Sequence, residues 1–159
     1  MPVIHLETFI KADQKIVFDL ARSIDLHQVS TAHTNERAIA GKTSGLIELN
    51  ESVTWEAKHF GIVQRLSSKI IAMKCPDYFV DEMVFGAFKS FKHQHIFESK
   101  GGETIMTDIF DYVSPYGILG KLADWLFLKR YMTDLLVQRN NVIKEYAENH
   151  PDGSRGSDA

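Results

Sequence analysis

The chain has 159 residues, 44% hydrophobic and 25% charged, an ordinary globular balance that excludes a disordered or fibrous protein. Its net charge of −3 lacks the basic excess of a nucleic-acid surface, so no nucleic-acid partner is expected. A single cysteine, Cys75, excludes an internal disulfide framework and a multi-cysteine zinc site, and ten Phe with seven His make a mild excess of rings.

Residues 3–11 alternate and are β-rich, which predicts a first strand. Asp13 is a suitable N-cap for a helix with Ile16, Val17, Leu20 and Ala21 on one face, and a second short helix is expected over about 24–33. Residues 34–50, with Gly41 and Gly45, read as a loop holding at most one helical turn. Turn residues at Gly61, Cys75-Pro76-Asp77, Gly86-Ala87 and Gly101-Gly102 then divide a β-rich region into five antiparallel strands, at about 51–60, 62–74, 78–85, 88–98 and 103–113. From about 118 to 149, Leu122, Trp125, Leu126, Met132, Leu135, Leu136, Val142 and Ile143 recur at helical spacing, predicting one long helix whose inner face carries Trp125, Met132 and Leu136. The tail 151–159 (PDGSRGSDA) reads as disordered, which leaves 1–150 as a single domain. No basic start and apolar run marks a secretory signal, and no stretch reaches the roughly 18 apolar residues of a membrane span. A cytoplasmic protein without membrane insertion is expected, as a monomer or homodimer, since no unexplained exposed apolar stripe is foreseen.

Hairpin turns fix which residues face each other. Turning at Gly61 aligns Val53, Trp55, Ala57 and His59 with Gln64, Leu66, Ser68 and Ile70. The next turns set Ile70 against Asp81, Ala72 against Phe79, Asp81 against His93 and Phe79 against His95. The Gly101-Gly102 turn sets His93 against Asp108 and His95 against Met106. One face then carries Lys69, Glu82 and Lys92 in a row of alternating charge, which suits solvent. The other carries Trp55, His59, Leu66, Ile70, Phe79, Asp81, Met83, Phe91, His93, His95, Phe97, Met106, Asp108 and Phe110. Two Asp and three His on an apolar inner face must be paired, because buried charge is costly alone. The row Asp81, His93, Asp108 is either a structural hydrogen-bond network or the polar anchor of an apolar pocket.

This order of elements resembles the helix-grip proteins of the START and Bet v1-like superfamily, the polyketide cyclase/dehydrase and lipid-transport group (SRPBCC). The likeness runs from His5 to about Tyr146. Val53-Thr54-Trp55-Glu56-Ala57-Lys58-His59-Phe60-Gly61, Phe79-Val80-Asp81-Glu82 through Phe91 to Phe97, Met106-Thr107-Asp108, Leu128-Lys129-Arg130-Tyr131 and Gln138-Arg139-Asn140 look similar to a bacterial cell-division-inhibitor-like subgroup. The resemblance implies an α+β fold, a curved antiparallel sheet wrapped around a long C-terminal helix with two short helices after strand 1. It also implies a cavity for a lipid, polyketide or aromatic compound, and carries over no catalytic residue.

The expected lining is Trp55, His59, Leu66, Phe79, Asp81, Met83, Phe91, His93, His95, Met106, Asp108, Phe110, Tyr112, Trp125 and Met132. Three functions fit: an apolar-ligand binder, a cyclase- or dehydratase-like enzyme with His93, Asp81 and Asp108 as catalytic candidates and Tyr112 polarising an oxygen, and an interaction protein whose cavity its own Phe rings fill. His93-Gln94-His95 puts two rings on one strand face, where a divalent metal could bind with Asp81, Asp108 or His59, but structural histidines explain it better, so no metal and no cofactor are expected. Arg65 and Lys58 face outward. Arg130 and Arg139 could lie at a cavity mouth or on the surface. No nucleophile motif is present, and Gly41-Lys42-Thr43 lacks the spacing of a phosphate loop.

Overall fold

The structure is a computed structural model that describes residues 2–150; the tail expected to be disordered, 151–159, lies outside the described residues. Strand β1 (Val3–Ile10) leads into helices α1 (Gln14–Ala21) and α2 (Ile24–Ser30). Both are capped as their sequences demand. Asp13 accepts from Lys15 N, and Ser23 accepts from Leu26 N, satisfying amides that have no partner in the first turn. A short 3₁₀ turn, Ala32–Thr34, follows, and then β2 (Arg37–Gly41). The meander is β3 (Ser52–His59), β4 (Ile62–Lys74), β5 (Tyr78–Phe85), β6 (Ser90–Lys100) and β7 (Glu103–Val113). The chain closes with α3 (Gly117–Ala123), a π-helical turn (Asp124–Leu128) and α4 (Lys129–Asn149). The seven strands form one antiparallel sheet in the order β1-β7-β6-β5-β4-β3-β2. This is the expected helix-grip arrangement.

Where the sequence predicts loop, β2 forms instead. It is a five-residue edge strand with a register shift between Ala38 and Ala40, and Ala and Gly carry little β signal. The α2 helix also stops at Ser30 rather than reaching 33. Two registers differ from expectation. An irregularity between Ile70 and Ala72 sets Phe79 against Met73 rather than Ala72. Gly101 and Gly102 both take positive φ and make a two-residue hairpin that pairs Lys100 with Glu103. His95 therefore faces Asp108, Phe97 faces Met106, and His93 faces Phe110. A slip of two residues keeps every side chain on its face, so the inner list survives. The outer row also forms, with Lys69 against Glu82 and Glu82 against Lys92.

The interior is uneven along the strands. At the end where α1 and α2 cross, Phe18 packs edge-on against Phe79 and Phe97 at 5.6 and 5.3 Å, with Val17, Ile10 and Met106 fully buried around them. Gln14 fastens that end by donating to Phe97 O at 2.8 Å, and Thr104 Oγ1 donates to Ala12 O at 2.7 Å. Helix α4 lies close to β1, α1 and α2, and its Leu136 and Met132 pack with Phe91, Phe110, Leu66 and Met83 of the strands.

At the opposite end the expected helical face is reversed. Tyr112 and Ser114 both donate to the Asp124 carboxylate, drawing that residue inward. Gly120 is also inward, where a Cβ would sit 2.0 Å from Pro115 O. With Gly120 and Asp124 on the inside, the 100° helical step turns Leu122, Trp125 and Leu126 outward. Trp125 is 80% exposed and does not line the interior. An exposed apolar stripe, not foreseen from sequence, results.

Candidate functional site

Four residues of the inner face meet in one buried cluster. Asp108, fully buried on β7, receives His93 Nε2 at 2.9 Å and Asn140 Nδ2 at 2.7 Å. Asp81 on β5 is 3.1 Å from His95 Nε2. His95 Nδ1 lies 3.0 Å from Asp108 Oδ1, but off the line a hydrogen bond needs, so this is a charge contact and the nitrogen has no hydrogen-bond partner. The two imidazoles lie against each other with centroids 3.8 Å apart, and Phe79 stacks on His95 at 4.2 Å. The expected row is therefore two crossed pairs, His93–Asp108 and His95–Asp81, with His93 reaching Asp108 along the diagonal of the strand pair.

Helix α4 supplies two members that sequence reasoning left unplaced. Arg139 is buried, donates to Ala21 O at 3.0 Å and to Asn140 Oδ1 at 3.1 Å, and lies 3.6 Å from Asp108 Oδ1. The signal was present in the spacing: Leu136, Asn140, Ile143 and Ala147 follow one helical stripe, and all are buried.

Burial would raise the Asp108 carboxyl, but the His93 hydrogen bond and the nearby charge of His93 and His95 outweigh it and hold it well below the ordinary range. Asp81 is likewise held low, burial being outweighed by the His95 hydrogen bond and the His93 charge. Burial, and then the neighbouring His95, push His93 down to about 4 against the pull of Asp108. At neutral pH His93 is thus a neutral ring that donates from Nε2 to an ionised carboxylate. Its Nδ1 makes no hydrogen bond among the described residues.

Asp81, His93 and His95 offer ligand atoms within 4.8 Å of one another. Both Nε2 atoms are engaged with Asp108 and Asp81, which leaves the two Nδ1 atoms as the ring nitrogens without a hydrogen bond.

The other expected lining residues divide between two places. Trp55, Phe79 and Met106 belong to the sealed cluster under α1 and α2, with Trp55 against His27 at 4.3 Å. Leu66, Met83, Phe91, Phe110, Tyr112 and Met132 form a second apolar cluster beneath α4, joined by Phe88 and Leu128. Tyr112 is not free to polarise a ligand, because its one hydroxyl proton is already donated to the Asp124 carboxylate. His59 lies apart, at the end of β3, sharing a 2.7 Å hydrogen bond with Tyr131 of α4. Nearby, Glu36 is 2.8 Å from His27 Nε2. Burial raises Glu36, but the charge and hydrogen bond of His27 prevail and lower it. Arg65 and Lys58 are exposed as expected, Arg65 pairing with Glu56 at 3.0 Å.

No protein-family model matches the chain, and no curated protein matches it in sequence. Solved structures do match in shape. TTHA0849 from Thermus thermophilus superposes with a TM-score of 0.74 at 17% identity, over 92% of this chain and 97% of that one. Major latex-like protein 151 from Panax ginseng gives 0.68 at 17% identity, over 92% and 97%. The di-domain ARO/CYC StfQ from the steffimycin biosynthetic pathway gives 0.75 at 11% identity, over 93% of this chain and 51% of that one. At these identities the likeness is one of fold: the chain has the Bet v1-like helix-grip fold.

Proposed function

We propose that the protein binds an apolar small molecule of lipid, polyketide or aromatic type between β3–β6 and α4. The observation that carries this is the second apolar cluster between those strands and α4, which is only partly closed. Leu66, Met83, Phe88, Leu128 and Met132 belong to it yet remain partly exposed, whereas Phe18, Phe97 and Met106 at the sealed end do not. An apolar wall that water can reach, with ionised Asp108 and neutral His93 at its inner limit, matches the make-up of a ligand pocket. One structural neighbour, the di-domain ARO/CYC StfQ, comes from the steffimycin biosynthetic pathway, a setting that fits such a ligand class. The subgroup resemblance rests on the residues quoted for it and adds no chemistry. A single exposed thiol, Cys75, suits a cytoplasmic setting, and residues 2–150 act as one binding unit in this reading.

Native mass spectrometry of protein purified from its host tests the proposal, with a co-purified apolar ligand expected. Met83→Trp, which fills the space, should abolish uptake of an environment-sensitive dye. Absence of any ligand, together with no dye uptake by the folded protein, would overturn it.

One observation favours a second reading, a cyclase- or dehydratase-like enzyme. His93 pairs Nε2 with Asp108 and leaves Nδ1 free as an acceptor, the arrangement of a carboxylate-oriented general base. Under this reading His93→Gln abolishes turnover of a bound carbonyl compound without loss of ligand; retained turnover would exclude it.

A further inference from the structure

Three separate segments project at the end of the sheet opposite α1. They are the β3–β4 turn with Phe60 and Ile62, the β5–β6 turn with Val84 and Phe85, and the stripe Ile118, Leu122, Trp125 on α3 and the π turn. Phe60 meets Phe127 and Tyr131 at centroid distances of 5.6 and 4.6 Å, which joins the first segment to the third. Phe88, just after the second turn, packs on Tyr112, which holds Asp124 of the third. The three therefore form one apolar end. Ile118 is 85% exposed and Phe60 60%, far above what a core-facing residue keeps.

Around the same segments lie Lys58, Lys89, Lys121, Lys129 and Arg130, with two carboxylates: Asp124, engaged inward by Tyr112 and Ser114, and Asp134, beside Trp125, Lys129 and Arg130. None of the five cations forms an ion pair among the described residues. The rest of the chain holds thirteen Lys and Arg against nineteen Asp and Glu, so positive charge is concentrated where the apolar residues are.

We propose that this end docks on an anionic lipid surface, with Ile118, Leu122, Trp125 and the two turns entering the headgroup boundary and the five cations against the lipid phosphates. A helix with apolar residues outward, Trp among them, and flanking Lys and Arg is what interfacial binding uses. No helix among the described residues is long and apolar enough to span a membrane, so the association is peripheral. A second copy is a poorer occupant, since a two-fold contact would bring the same unpaired cations face to face. A lipid surface also needs no matched shape, which suits apolar tips projecting from three segments. This inference is independent of what the interior binds.

The test uses the full chain with vesicles of phosphatidylcholine alone, and with vesicles in which about a third of the lipid is phosphatidylserine. Trp55 is buried, so a change in tryptophan emission reports Trp125. The anionic vesicles should sediment the protein and shift emission to the blue, and both effects should fade as salt rises. Removing Lys129 and Arg130 as Lys129→Gln/Arg130→Gln should weaken partitioning by on the order of tenfold or more, at about fivefold per cation. Ile118→Ser should weaken binding to the same vesicles through the apolar contact, and neither variant should change the melting temperature. No binding of the unmodified chain at low ionic strength, equal binding to the neutral vesicles, or burial of Trp125 with rising protein concentration in the absence of lipid would each overturn the proposal.

Discussion

Two ends of the same sheet are built from similar residues to opposite effect. Under α1 and α2, Phe18, Phe79 and Phe97 close on one another and exclude water. Beyond Tyr112, a comparable set of apolar residues on α3 and two turns is left in solvent, and the cluster beneath it keeps Leu66, Met83 and Met132 partly exposed. Hydrophobicity does not distinguish the ends. What does is whether a helix is tied across the opening. Gln14 and Thr104 tie α1 down at one end, whereas the bond from Tyr112 to Asp124 turns α3 so that its polar side is inward.

The largest expected effect lies between the ends. Asp108→Ala removes the acceptor shared by His93 and Asn140 and the carboxylate that offsets the buried Arg139 charge. Destabilisation of about 3–5 kcal/mol is expected in urea titration. A loss under about 1 kcal/mol would mean that the cluster is already hydrated and belongs with the open end.

Truncating one ring at each end tests the comparison directly. Phe18→Ala should cost about 3–5 kcal/mol by opening a cavity in packed core. Trp125→Ala should stay within about 0.5 kcal/mol, as surface changes do. Similar costs in thermal or urea unfolding would break the contrast.

The cluster also sets a pH dependence. His93 is held at about 4, below the roughly 6.5 of an unfolded histidine. Between these values the unfolded chain binds the extra proton, so stability rises with pH. The His93 contribution is complete above about 6.5 and falls as pH drops toward about 4, by a total on the order of 3 kcal/mol. Asp81 and Asp108, held low, add a further loss as pH falls below about 4, where unfolded carboxylates take up protons. His93→Gln should flatten the upper window alone, read from urea midpoints at stepped pH; an unchanged slope would show that His93 titrates as an exposed histidine.

A modest effect is expected where β3 meets α4. Tyr131→Phe deletes the hydroxyl shared with His59 and should cost about 0.5–1.5 kcal/mol, while quickening dye exchange from the interior. Unaltered exchange would place the route elsewhere.

The five-strand meander, the Asp13 cap and the division of the sheet into a charged and an apolar face were legible, because each depends on local period or on a turn. The inner placement of Asp81, His93, His95 and Asp108 followed from the same period of two, and it survived a register error of two residues. The partners within the cluster did not follow. Whether His93 or His95 faces Asp108 depends on a two-glycine hairpin, and Arg139 and Asn140 arrive from α4, some thirty residues further along the chain.

Sequence alone determined which residues alternate, which segments coil and where the chain turns, since these obey interactions a few residues in range. Tertiary structure decided which way α3 faces and whether the interior is closed. Periodicity identifies an apolar stripe without saying what covers it. Here Gly120 against Pro115 and Asp124 beneath Tyr112 and Ser114 rotate the stripe to the outside, through contacts that form only after β7 and the helix have come together.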